Sequence, residues 1–490
     1  MSLSKKLKKA GFWQLAEIFA LVVCQFAYFS IMARLLEKSD FGLMAIVNSL
    51  AVFGNIFAEG GMGAALIQQR DVTYKHINAA LQGALVIGIL FAVLLSGFAP
   101  LAAAFFEQPS LTPLIQVISL TFILQGISGV SLGLMQKNFQ FKQAAMVSFI
   151  SVTVGYSIGV IMGYYGYGAW SLVVATVVYS FLKAVGCFLY APIKLSAKLY
   201  IDEWKSLFSF GSGMILLKIC NYFGTGGVNL VLGKIFAPAT LGVFERAFQL
   251  KNLPTKHLGN VLNNVMFPAM SEIQDEEDKL FKVYEHGLGV SNAILMPVAV
   301  FFIFFAPEIV YILLGKDWTE AILPLQIMLI ILPFSISSRM ADSTIRAKGL
   351  IYKNVNRKLI YVGILIITSA IGAIYYGLVG AAIAVTISYL INYVLMILLV
   401  KGIFNKSFKQ IFYRPLKEAF VLSLGLIIIL LLYNLLFDLW GKVRIDYFLM
   451  FSSVLACGVV IIAIKKPLIL GHYIKITIKN LRNKKGKKLA

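Results

Sequence analysis

Fourteen apolar stretches joined by short loops run through this chain, and six of them recur as the next six. Such a polypeptide is expected to fold as a bundle of membrane-spanning helices in two like-oriented halves. A helix needs about 20 predominantly apolar residues to cross the hydrocarbon. The stretches lie near residues 10–33, 41–66, 78–105, 112–135, 144–163, 168–190, 207–233, 241–268, 283–314, 321–345, 359–376, 378–400, 418–437 and 447–464. The composition, 59% hydrophobic and 13% charged over 490 residues, excludes a soluble multi-domain protein, whose charged fraction is near a quarter. The first span follows Lys5, Lys6, Lys8 and Lys9. It is too long for a signal peptide and lacks a small-residue cleavage site, so it is expected to be retained.

A net charge of +22 raises the question of a nucleic-acid partner, which the position of the basic residues answers. With the N-terminus on the cytoplasmic side, the tails and loops of that side hold 32 of the 44 Lys and Arg. The opposite side holds only Arg34, Lys38, Lys234, Lys316, Lys442 and Arg444. This is the positive-inside asymmetry, and it predicts that both termini are cytoplasmic. The basic run from Lys465 to Lys488 reads as a tail drawn to anionic headgroups of membrane lipids rather than as a nucleic-acid arm. Cys24, Cys187, Cys220 and Cys457 all fall inside apolar spans without paired spacing, which argues against a disulfide framework or a zinc site.

The internal repeat has an offset that starts at 200 and drifts to 211, as small loop insertions accumulate. Gly42 pairs with Gly242 at the first offset. Pro113, Lys137, Phe141 and Lys142 meet Pro324, Lys348, Tyr352 and Lys353 at the second, and the Tyr164, Tyr165, Gly166 triplet recurs as Tyr375, Tyr376, Gly377. Each copy has six spans, an even number, so the copies enter the membrane from the same side and are related by a pseudo-two-fold axis along its normal. The predicted organisation is an N-lobe over residues 1–200 (spans 1–6), a C-lobe over 201–405 (spans 7–12), and two C-terminal helices with a basic tail over 406–490. The loops are too short for an extramembrane catalytic domain.

Six basic residues fall within spans: Lys183, Lys218, Arg246, Lys251, Lys256 and Arg339. An ionisable side chain at the bilayer centre costs on the order of 3 kcal/mol even on lenient insertion scales, so such residues face a cavity, a partner or a substrate path. Lys183 and Arg339 lie within two turns of a cytoplasmic end, where snorkelling is an alternative. Arg339 also shares a helix face with Ser335, Asp342 and Arg346, at spacings that suit an internal Arg and Asp pair. In span 7, Lys218, Tyr222, Thr225 and Asn229 form a polar stripe at helical spacing. Span 8 carries Arg246, Lys251, Lys256 and His257, and either crosses the membrane or lies in its interface as an amphipathic helix. Span 2 bears Asn48, Asn55 and Glu59. Spans 2, 7 and 8 are therefore expected to line one wet compartment with a positive surplus, suited to an anionic substrate. The run Gly224, Thr225, Gly226, Gly227 and the residue Pro254 interrupt spans 7 and 8, as hinges or as close-packing points.

Glu17, Glu59 and Asp342 are candidates for coupling to H+ or Na+, or else salt-bridge partners of nearby cations. His76, His257, His286 and His472 form no ligand-spaced cluster, and no metal motif, nucleotide loop or nucleophile elbow is present. No cofactor, enzyme activity or ATP-driven transport is expected.

Five segments carry a resemblance: ARLLEKSDFG (33–42), FAEGGMGAALIQ (57–68), LGKIFAPATLGVFERAFQL (232–250), MFPAMSEIQ (266–274) and LLGKDW (313–318). Over about residues 1–400 the chain resembles the O-antigen and exopolysaccharide (Wzx-type) oligosaccharide flippases of bacterial polysaccharide biosynthesis. These belong to the multidrug, oligosaccharidyl-lipid and polysaccharide exporter superfamily. Spans 13 and 14 are similar only to the fourteen-helix arrangement of the lipid II flippases. The resemblance implies movement of an undecaprenyl-pyrophosphate-linked oligosaccharide across the bacterial cytoplasmic membrane by alternating access, with the polysaccharide polymerase machinery as a further partner. It places Arg34 and Arg246 at the cavity or its mouth, and the phosphates suit Lys218, Arg246 and Lys251. Competing readings are a cation-coupled drug exporter, which would use acidic rather than basic intramembrane residues, and a membrane-bound polymerase, which would need a large outer loop.

Overall fold

In the computed structural model the described residues are 3–58, 62, 63, 66, 72–191, 226–407 and 409–413, with short pieces between 193 and 224 and between 419 and 430. Span 14, most of span 13 and the first half of span 7 lie outside them. The described backbone is helical, as a chain without water to satisfy its amides must be. The helices are α1 (Leu3–Leu35), α2 (Lys38–Ala58), α3 (Tyr74–Phe106), α4 (Leu111–Lys137), α5 (Phe141–Tyr164), α6 (Ala169–Tyr190), α7 (Gly227–Ile235), α8 (Pro238–Glu272), α9 (Glu277–Phe304), α10 (Ala306–Leu313), α11 (Ile322–Leu329), α12 (Leu332–Ala347) and α13 (Ile351–Phe404). Among the described residues, eight helices are long and apolar enough to cross a membrane, or nine when the bent pair formed by α11 with its preceding 3₁₀ turn and α12 is taken as one span.

The longest apolar stretch is not one pass. Gly377, at φ 58 and ψ −143, breaks α13 in its middle, a backbone shape that glycine reaches without steric cost. The two arms, 351–376 and 378–404, correspond to spans 11 and 12. α8 is a continuous 35-residue helix through Pro254, about 52 Å long at 1.5 Å per residue. Its polar sequence keeps it out of the set of apolar spans.

The helices are apolar inside out, with large side chains outward and small ones inward. On α3, Val86, Leu90, Val93, Leu94, Leu101 and Phe105 are exposed, while Ala79, Ala80, Gly83, Ala84, Ala92, Ala99 and Ala103 are buried. In lipid the outward stripe costs nothing, and the small inward residues let backbones approach. A Cβ on Gly126 of α4 would lie 2.9 Å from the Ala84 carbonyl oxygen of α3.

Chain contacts divide the protein into two compact units, Met1–Glu245 with Leu313–Asp317, and Arg246–Ile312 with Trp318–Ala490. In the first, α3 packs along α4, α4 on α6, α6 on α5, and α1 on α5, with α2 against α4, α3 and α7. In the second, α9 packs on α12, and α12 on α13. The α9 and α12 pairing repeats that of α3 and α4, as a duplicated unit requires. α2 and α8 cross at their first turns, Gly42 lying against the carbonyl of Pro238 and Gly242 against that of Lys38.

Candidate functional site

The second unit buries an ammonium group between two aromatic rings. Lys251 of α8 is 1% exposed, and its Nζ lies 4.4 Å from the ring centroid of Phe248, one turn earlier, and 4.5 Å from that of Tyr389 on the second arm of α13. Tyr361 of the first arm meets Tyr389 edge-on, with centroids 5.7 Å apart. Arg339 of α12 stands near enough to repel Lys251. Among the described residues neither cation has a hydrogen bond or an ion pair. Ring faces return about 0.5–2 kcal/mol to a buried cation, less than the desolvation of an unpaired ammonium. The site is thus unsaturated in negative charge.

One carboxylate anchors the polar network beside it. Asp342, one turn after Arg339, accepts from Arg346 Nε at 3.1 Å, from Lys358 Nζ at 3.5 Å and from Asn354 Nδ2 at 2.6 Å. The Asn354 Oδ1 in turn accepts from Arg357 Nε at 3.2 Å and Nη2 at 2.9 Å, and Arg357 Nη1 donates to Asn392. Asn354 and Arg357 are buried. Asp342 therefore sits among four cations, Arg339, Arg346, Arg357 and Lys358, and its direct partners are Arg346 and Lys358 rather than Arg339.

In the first unit, α2, α7 and the start of α8 come together. Phe53 of α2 packs on Tyr222 at 5.3 Å, and Gly233 of α7 lies against Ile46. Asn229 Nδ2 donates to Glu245 Oε2 at 2.7 Å, both groups being buried. Asn48 and Asn55 are half-buried on α2, and Asn55 Oδ1 has no hydrogen-bond partner among the described residues. Arg34, at the end of α1, is exposed and donates to the Ser30 carbonyl at 2.9 Å. Arg246 follows Glu245 and is buried. Glu17 of α1 is half-buried, close enough to Lys183 of α6 to interact electrostatically, and Lys183 donates to the Tyr179 hydroxyl at 3.1 Å. Lys256 and His257 lie on α8, but their side chains are outside the described set, as are Lys218, Thr225 and Glu59 altogether.

At the helix ends with few basic residues, Lys234 donates to Glu107 Oε1 and to the Phe105 carbonyl, both at 2.7 Å. That hydrogen bond and charge hold the exposed Glu107 carboxyl below the usual carboxylate range.

The sequence reading missed Phe248, Tyr389, Asn354, Arg357, Lys358 and Asn392. Arg357 and Lys358 read as loop cations because the apolar run begins after them. The one usable signal was Asn392, an amide within the mostly apolar ISYLINYVLM.

The family described as polysaccharide biosynthesis protein matches residues 31–323, more than half of the chain. An uncharacterized membrane protein in the cps region of Klebsiella pneumoniae is 25% identical over 95% of this chain and 96% of its own length. The lipopolysaccharide biosynthesis protein WzxC of Escherichia coli K12 is 22% identical over 88% of each chain. Among solved structures, the lipid II flippase MurJ in an inward closed conformation superposes with a TM-score of 0.72 at 17% identity, over 94% of this chain and 99% of that one. This likeness concerns the fold alone.

Proposed function

Because the chain belongs to the polysaccharide biosynthesis protein family, we propose that it is a flippase for oligosaccharides linked to undecaprenyl pyrophosphate. It moves them from the inner to the outer leaflet of the bacterial cytoplasmic membrane, with both termini in the cytoplasm. The observation that carries this reading is the pair Lys251, buried, and Arg339, half-buried, two neighbouring cations of which neither has an ion pair among the described residues. Binding energy follows from that vacancy of charge: a pyrophosphate supplies the anion that the fold withholds, in charge-assisted hydrogen bonds. Phe248 and Tyr389 offer ring faces beside it, while the polyprenol remains among the lipids. A cationic drug would meet repulsion at the same place. The fold likeness to the lipid II flippase, and the name of the E. coli relative, lend support from outside the chain.

The remaining cationic candidates for the substrate path are Lys218, Arg246, Lys256 and Arg34, and its polar candidates are Asn48, Asn55, Tyr222, Thr225, Asn229 and His257. Two six-span lobes expose the path to one side at a time, by alternating access. Asp342, already bonded to Arg346, Lys358 and Asn354, acts as counter-charge for the cation cluster. Glu17 or Glu59 is then the better candidate for a coupling H+ or Na+. The delivered unit passes to the polymerase machinery on the outer side.

The test is a chromosomal deletion complemented with the Lys251→Ala/Arg339→Ala variant. The lipid-linked glycan accumulates in the inner leaflet while protein levels stay normal. Full export by that variant would refute the assignment.

A further inference from the structure

We propose that a cleft at the basic end of the second unit binds the headgroup of an anionic phospholipid. The cleft has a volume of about 330 Å³ and lies where the start of α9, the end of α12 and both ends of α13 meet. Ile345, Leu350, Leu398 and Ile403 form an apolar floor, Lys348 and Lys353 stand at the rim, and Glu277 is the one carboxylate. Lys348 reaches Glu277 at 3.5 Å. Lys353 is exposed, and among the described residues it has neither a hydrogen bond nor an ion pair.

The internal repeat supplies a control within the molecule. Lys348 and Lys353 correspond, at the offset of 211, to Lys137 and Lys142. In the first copy the chain itself engages both: Lys137 donates to the Leu66 carbonyl at 3.1 Å, and Lys142 lies 5.6 Å from the Trp13 ring. In the second copy both lysines line the cleft, where Lys348 reaches Glu277 and Lys353 has neither a hydrogen bond nor an ion pair among the described residues. Their charge excess over Glu277 selects an anion. The apolar floor, with Leu398 half-exposed, selects one that carries acyl chains. A phospholipid phosphate with its glycerol backbone satisfies both, and water-soluble phosphate has no use for the floor.

Native mass spectrometry of the intact chain in detergent tests this, using phosphatidylglycerol and phosphatidylcholine of identical acyl chains. Wild type should retain phosphatidylglycerol preferentially. Lys348→Gln/Lys353→Gln should weaken it about thirty-fold, two lysines at about five-fold each, while Lys137→Gln/Lys142→Gln leaves it unchanged. Glu277→Gln, which removes the competing carboxylate, should tighten it, and this arm decides the matter if the double lysine variant does not fold. Unchanged retention in the double variant or in Glu277→Gln overturns the proposal. So does selective loss of added undecaprenyl pyrophosphate instead of phosphatidylglycerol, which would assign the cleft to substrate.

Discussion

Gly42 and Gly242 pack reciprocally. A methyl group on Gly42 would sit 1.8 Å from the carbonyl oxygen of Pro238, and one on Gly242 would sit 1.9 Å from that of Lys38. Lys38 and Pro238 are the first residues of α2 and α8, and the two pairs are related by the repeat offset of 200. Equivalent glycines of the two copies thus hold equivalent carbonyls.

Because the obstacle is backbone at both places, no rotamer change relieves it. Gly42→Val and Gly242→Val should each destabilise the protein by about 1–3 kcal/mol and reduce polymer export. The double variant should fall well short of the sum, since both substitutions wedge one crossing. Thermal midpoints in detergent, read beside export, check this. Additive losses would place the two glycines in independent contacts.

Lys251 separates function from stability. Replacing a buried, unpaired ammonium with methionine removes a desolvation cost, so Lys251→Met should raise the thermal midpoint. Export should nevertheless drop at least tenfold, the value of one charge-assisted contact at about 1.5–3 kcal/mol. A residue with a purely structural role would lose both together.

Asp342→Asn acts in the opposite sense. Arg346 and Lys358 lose their direct counter-charge, and removing one partner from this partly buried ionic network costs at most the value for a fully buried pair, about 3–5 kcal/mol. Poor accumulation of the protein is expected. Asn354→Ala, which unseats Arg357 but leaves Asp342 charged, should cost less, about 1–3 kcal/mol. Equilibrium unfolding of the two variants ranks them.

Glu107 gives a pH signature. Its carboxyl pKa is lowered in the folded state by Lys234, so its contribution is fully present above the ordinary carboxylate pKa. That contribution is lost as pH falls through the lowered value. The pair is exposed, and the effect is correspondingly small. The difference in thermal midpoint between wild type and Glu107→Gln should exist at pH 7 and vanish in acid. A difference that grows in acid would reverse the sign of the shift.

Much of this fold is legible in the sequence, for a physical reason. Lipid forces the backbone into helices, so apolar length locates α1 to α6 and α9, and the repeat implies the reversal inside α13 at Gly377, the counterpart of Gly166. The site is less legible. Lys251 stands out as a charge amid apolar residues, but its cage does not, because Phe248 and Tyr389 are unremarkable in a chain that is 13% aromatic. Asn354, Arg357 and Asn392 belong to one network only after α13 folds back on itself. Periodicity along one helix carries no information about pairing across a hairpin.

The tyrosine pairs of the repeat bear on motion. Tyr164 and Tyr165 end α5, Tyr375 and Tyr376 end the first arm of α13, and all four rings are exposed. Phenols with an apolar body and a polar tip settle at headgroup depth, so each lobe carries its own waterline mark. A lobe moored in this way can tilt about that level but is opposed in sinking or rising. Anchoring of this kind favours a see-saw motion of each lobe over an elevator motion.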